Sequence, residues 1–212
     1  MQGKSFRKGC LITVVVFAAV TALIFFVLAF VGEVPVKKPN IYIYPEKTEN
    51  ITVKVSPRGA ITKSIPKYKN GWTVSVEPDG KIDGQFNYLF YEANVKYPFT
   101  LNKGWIVNKS DFSSQMNVIL RDIGLQANEI EDFICYWSKE LKWDKDKYAV
   151  YLISQQEINK AIPLAISKTP DSLLRVYFYF KATDKDFIIE RPSINTFERK
   201  GFTVVEWGGI GQ

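Results

Sequence analysis

Residues 11–31 read LITVVVFAAVTALIFFVLAFV, twenty-one positions from Leu11 to Val31 without a charged side chain. As a helix rising about 1.5 Å per residue, such a run is about 32 Å long, the thickness of a bilayer's hydrocarbon core. A backbone in lipid must satisfy its own polar groups, and a helix does so. A cleaved secretory leader has a shorter apolar region and ends in a small-x-small site, which Ala29-Phe30-Val31 does not supply. The expectation is one retained transmembrane helix. Lys4, Arg7 and Lys8 precede it without an acid, whereas Glu33 accompanies Lys37 and Lys38 on the other side. That bias predicts an amino terminus inside and residues 33–212 outside.

The remaining length fits one domain. Along the chain the expected order is a basic cytoplasmic flank (1–10), the membrane segment (11–31), a Pro- and Lys-bearing extended tether (32–40) and an extracytoplasmic domain (41–212). The chain carries 28 Lys and Arg against 22 Asp and Glu. Three of those cations lie ahead of the anchor, so the domain keeps a small net +3, too little for a nucleic-acid footprint. Histidine is absent, which removes Ser-His-Asp and Cys-His catalysis and imidazole zinc sites. The two cysteines, Cys10 and Cys135, form no CxxC pair. No metal or cofactor is expected.

Period-2 patterns dominate as far as residue 100. Ile41-Tyr42-Ile43-Tyr44, the run 51–55 and the run 72–76 alternate apolar and polar positions, and residues 86–91 are apolar or aromatic nearly throughout. The period then changes. Met116, Ile119, Leu120 and Ile123 fall on one helical face between a cap at Asp111 and a stop at Gly124. Ile130, Phe133, Ile134, Trp137 and Leu141 mark a second helix, with Asn128 and Glu131 in capping-box spacing. Strands return at 148–153, 161–166, 173–181 and 202–207. Strands, two central helices and strands again predict an α+β domain of short, mainly antiparallel strands.

The phrases KPNIYIYPEKTENITVKV, GWTVSVEPDG, YLFYEA, ANEIEDFICYW and RKGFTVVEWGG resemble an uncharacterised bacterial family of surface-anchored proteins. That family opens KPxIYLYPE and closes near GFTVVEWGG. The resemblance covers most of residues 38–209, and Tyr44, Pro45, Glu46, Trp72, Pro78, Asp79, Gly80, Glu92, Tyr136, Trp137, Glu206 and Trp207 match its pattern. Ile43 departs from it where the family has leucine. The resemblance implies a bacterial source and a single domain, and it brings no catalytic residue.

Catalysis without histidine would rest on paired carboxylates acting on a glycan. The candidates are Glu206, which continues the apolar face of Phe202 and Val204, and Glu92 at the end of YLFY. Glu131 and Asp132 are better explained by helix capping and the helix dipole. Cys135 reads as a buried, inert thiol. Ser64 and Lys67 have Ser-x-x-Lys spacing, but Pro66 between them forbids the helix that motif needs. Residues 104–110 lack the glycine before Lys109 that a phosphate loop requires. The face bearing Arg175, Tyr177 and Tyr179 offers ring and guanidinium surface for a sugar or a protein partner; its bland alternative is a sheet face covered by a helix. The leading expectation is a non-enzymatic, membrane-anchored binding module in contact with an envelope glycan or a membrane protein. The alternatives are a tethered glycan hydrolase using Glu206 and Glu92, and a cytosol-facing adaptor.

Overall fold

The computed structural model describes residues 32–142, 144–185 and 187–211. Seven strands form one mixed sheet in the order β3 (Gly59–Ile65), β5 (Leu89–Val95), β1 (Val34–Tyr44), β10 (Thr203–Gly211), β9 (Ser172–Thr183), β7 (Lys147–Ile153) and β6 (Gly104–Asn108). A second, antiparallel sheet holds β4 (Trp72–Val76), β2 (Glu49–Val55) and β8 (Leu164–Ile166). Helices α1 (Phe112–Ile123) and α2 (Ala127–Glu140) cover one face of the large sheet. The small sheet, with the short helix α3 (Gln155–Ala161), covers the other.

Two cores follow from this layering. Ile41, Ile43, Leu89, Tyr91, Val204 and Tyr177 face the small sheet, where they meet Ile51, Val53, Trp72 and Val76. Tyr42, Val205, Trp207, Phe178 and Phe180 face α1 and α2, whose stripes contribute Met116, Leu120, Phe133 and Trp137. Each large apolar side chain taken fully out of water in these cores stabilises the fold by about 1.5–3 kcal/mol. The apolar stripe of each helix is therefore explained by a sheet face that needs covering. Gly124, at φ 111°, ends α1 in the left-handed conformation that glycine adopts without strain.

The expected fold class needs correction. Among the described residues there are three α-helices, not two, and none is long and apolar enough to cross a membrane. The segment 11–31, expected to be a transmembrane helix, lies outside the described residues. The strands are not uniformly short either, since β1 spans 11 residues and β9 spans 12. The sheet is mixed because β9 and β10 pair in parallel, Arg175 beside Glu206. Their connection returns across the helical layer, where Ile194 and Phe197 pack and the Phe197 N–H donates to the Ile123 carbonyl. A crossover without a helix of its own leaves no βαβ pattern to read.

The stretch expected as a tether also differs. Residues 34–40 are the first part of β1, paired with β5 on one side and β10 on the other. The pairing register shifts between Val36 and Asn40, and Lys38 takes a φ of 53° there. This irregularity lets a strand carry Pro35 and Pro39, which cannot donate to a regular ladder.

Candidate functional site

Glu206 sits inside the protein. The parallel register sets it beside Arg175, whose Nε donates to Glu206 Oε2 at 2.5 Å, and both side chains are 0% exposed. Arg175 Nη1 donates to Asn159 Oδ1 at 2.9 Å and to the Ile162 carbonyl at 2.8 Å. The Tyr91 hydroxyl donates to Glu206 Oε1 at 2.8 Å and lies 3.1 Å from the Tyr177 hydroxyl. Burial pulls the Arg175 pKa down, but the carboxylate of Glu206 and then Tyr177 and Tyr91 outweigh it, so the guanidinium stays charged. Burial first, and the Glu206 carboxylate second, push both tyrosines well above their ordinary range. The assembly is a closed, charge-balanced tie between β9, β10, β5 and α3. No substrate reaches Glu206.

Glu92 lies on the opposite face of the sheet. Leu89, Tyr91, Ala93 and Val95 of β5 enter the core beneath the small sheet, so Phe90 and Glu92 point to the helical side. The two carboxylates considered for glycan hydrolysis are therefore not brought into one cleft. Arg175, Tyr177 and Tyr179 are likewise enclosed, with exposures of 2%, 0% and 8%. Their cover is the small sheet and α3, not one of the two central helices expected from the sequence. Their rings and guanidinium serve packing and the internal ion pair.

Where Glu92 emerges there is a groove of about 330 Å³, lined by Lys38, Lys63, Tyr88, Phe90, Glu92 and Tyr136 among others. The irregular register of β1 carries Lys38 across this surface. Its ammonium lies 4.6 Å from the Phe90 ring centroid, 4.8 Å from Tyr88 and 5.8 Å from Tyr136, and it donates to the Tyr88 hydroxyl at 3.2 Å. Lys63, opposite Glu92 in the β3–β5 register, lies 5.5 Å from Phe90. Ring quadrupoles hold both ammoniums electrostatically, and the Tyr88 hydroxyl takes one of the three N–H donors of Lys38, leaving two for a ligand. Tyr136 comes from α2, and burial, then the Glu140 and Glu92 carboxylates, push its pKa up, so its hydroxyl stays a donor. Two cations, one carboxylate, two phenols and the Phe90 ring thus converge on a single concave surface. Such convergence of a few polar groups on an aromatic wall is how ligand sites are commonly built.

Other candidates resolve as structural. Glu129, not Glu131, closes the capping box of α2 with Gln126, and it also pairs with Arg199 at 2.5 Å and accepts from Tyr44 at 2.9 Å. Asp132 accepts from the Tyr42 hydroxyl at 2.8 Å. Cys135 is exposed rather than buried, and Lys139 Nζ lies 3.4 Å from its sulfur. Among the described residues no group of His, Cys, Asp and Glu is placed to hold a metal ion. A second groove of about 310 Å³, between β6 and α1, is walled by Trp105, Val107, Ile119 and Arg191. Its polar lining is Arg191, Ser114 and Gln115, and the last two already bond the chain itself, Ser114 donating to the Asp111 carbonyl and Gln115 accepting from the Asn108 N–H.

Sequence reasoning named Glu92 but missed its neighbours. In the sequence Lys38 falls in the expected tether, Tyr88 in the apolar run 86–91, and Tyr136 only among the residues that match the family resemblance. The one signal available was the lysine pair Lys37-Lys38 set between two prolines, an arrangement that a bulged strand accommodates. No family model, curated protein or solved structure matches the chain.

Proposed function

We propose that the protein is a non-enzymatic binding module of a bacterial cell envelope, held to the membrane through residues 11–31 with its amino terminus inside. Its ligand is an envelope glycan bearing carboxylates. The groove at Lys38 is the observation that carries this reading. Lys38 and Lys63 supply N–H donors for a sugar carboxylate, Glu92 and Tyr136 supply partners for hydroxyls, and Tyr88 and Phe90 supply ring surface. The domain works close to the bilayer, because only Gly32 and Glu33 separate residue 31 from β1. The closed Arg175–Glu206 pair and the separation of Glu206 from Glu92 support a module without hydrolytic chemistry.

Calorimetric titration of the full chain, in a neutral detergent, with an oligosaccharide containing uronic acid tests this reading. Saturable binding is expected, with a neutral oligosaccharide binding more weakly and Lys38→Ala losing about tenfold or more, the size expected for one charge-assisted contact. Absence of saturable binding to acidic and neutral glycans alike would refute it. A cytosol-facing adaptor is favoured by one observation, the exposed thiol of Cys135, which suits a reducing compartment. Protease added outside intact spheroplasts digests the domain under the first reading and spares it under the second.

A further inference from the structure

The seven-stranded sheet has two edges, and they differ. At the β6 edge, the Gly104 N–H donates to the Glu190 carbonyl at 2.9 Å, and Lys103 and Glu190 form a parallel bridge. The small sheet guards β4 in a similar way, where the Asp83 N–H donates to the Ser75 carbonyl and the Ser75 N–H to Asp83 Oδ1, both at 2.8 Å. Among the described residues strand β3 has no such cover: it pairs with β5 alone, and five of its seven residues are exposed. In an antiparallel pair, alternate residues aim their N–H and C=O groups away from the partner, so β3 presents unpaired backbone donors and acceptors on either side of the register shift between Ile61 and Lys63.

A groove of about 640 Å³ runs along this edge, lined by Ile61, Lys63, Ser64, Lys67, Tyr68 and Lys69 among others, with no acidic residue. The charge around it is concentrated. Residues 50–76 contain Lys54, Arg58, Lys63, Lys67 and Lys69 and not one Asp or Glu. Residues 32–212 carry 25 cations against 22 acids, so outside this stretch the domain is net −2. None of the five cations belongs to an ion pair among the described residues.

We infer that β3 is a docking edge for an acidic, extended segment of a partner protein, which adds to the sheet as an eighth strand. Backbone hydrogen bonds to the outer side of β3 supply affinity, and carboxylates on alternate positions meet Lys63, Lys67 and Lys69. A second copy of the chain does not fit, because two β3 edges would bring their lysines together. A bilayer does not fit the groove either, since a flat headgroup surface cannot engage a row of backbone donors and acceptors. The two grooves share Lys63, and Ile65 at the end of β3 lines the glycan groove alone.

The test uses fluorescence anisotropy with the full chain in neutral detergent and a labelled peptide the length of β3, alternating glutamate and valine. Two further peptides carry N-methyl groups, one on odd and the other on even backbone amides. Saturable binding is expected, weakened by salt, abolished in a lysine–valine peptide, and reduced tenfold or more by the double variant Lys67→Glu/Lys69→Glu. One N-methylated peptide loses binding and the other keeps it, because only alternate amides face β3. Equal binding of both methylated peptides would mean charge attraction without strand pairing, and would overturn the inference. So would no peptide binding, or a lysine–valine peptide binding as well as the acidic one. Because Lys67 and Lys69 lie outside the glycan groove, the double variant retains glycan binding, and the two proposals fail separately.

Discussion

Replacing Arg175 by methionine removes three hydrogen bonds at once and strands a carboxylate. Glu206 keeps only the Tyr91 hydroxyl at 2.8 Å, while Asn159 Oδ1 and the Ile162 carbonyl lose their guanidinium donor. Asn159 is exposed and water replaces its bond, but Ile162 is buried. Breaking one side of a fully buried pair costs about 3–5 kcal/mol, because the remaining charge has no compensation. Removing both charges, as Arg175→Met with Glu206→Leu, is a smaller perturbation. Tyr177 still donates to Tyr91 across 3.1 Å, so the Ile162 carbonyl, lost in both variants, and the Tyr91 proton are left unpaired, at about 1–3 kcal/mol each; one stranded hydroxyl thus replaces one stranded charge. The double variant is therefore more stable than Arg175→Met alone. Urea unfolding near neutral pH, followed by tryptophan fluorescence, measures both, since Trp72, Trp105, Trp137 and Trp207 report on the two cores. A cost below about 1 kcal/mol for Arg175→Met, or a double variant less stable than either single one, would refute the description of Glu206 as a buried charge neutralised by Arg175.

Two further perturbations probe the same packing. Tyr42, Tyr91 and Tyr177 all have pKa values raised by burial first, with nearby carboxylates adding to it. Their stabilising contribution is complete below the unfolded tyrosine pKa of about 10 and falls as pH rises above it, by about 1.4 kcal/mol per pH unit per tyrosine. Denaturant midpoints measured on either side of that pH check the slope, and a flat profile would contradict the burial of these hydroxyls. At Gly209 an added Cβ would meet the Trp137 ring at 2.6 Å, so Gly209→Ala costs about 1–3 kcal/mol by overpacking. A thermal melt unchanged by that substitution would show that α2 does not press on β10 as described.

What the sequence disclosed, and what it hid, follows from the range of the interactions. The stripes of α1 and α2 were legible because each helix buries a single face, and Gly124 stops α1 where expected. The capping box lay two residues from its expected place, since Gln126 and Glu129 satisfy the same spacing rule that Asn128 and Glu131 do. Strand β3 was invisible because an edge strand exposed on both sides shows no apolar alternation. Helix α3 is only 7 residues long, started by Ser154 accepting from the Glu157 N–H, and is too short for a periodic signal. The Arg175–Glu206 tie depends on a parallel register between strands joined by a long irregular crossover, which no local pattern encodes. The groove at Lys38 gathers side chains from β1, β3, β5, α2 and the loop before β5, so it exists only once the sheet and the helix have packed.

The central claim is that this groove seats an acidic sugar. Isotope-resolved NMR of the protein, titrated with an oligosaccharide containing uronic acid, tests it most directly. The account predicts that shift changes concentrate at Lys38, Lys63, Tyr88, Phe90, Glu92 and Tyr136, and disappear in Lys38→Ala. Changes centred on Trp105 and Arg191 in the β6–α1 groove, or an unchanged spectrum at saturating sugar, would contradict it.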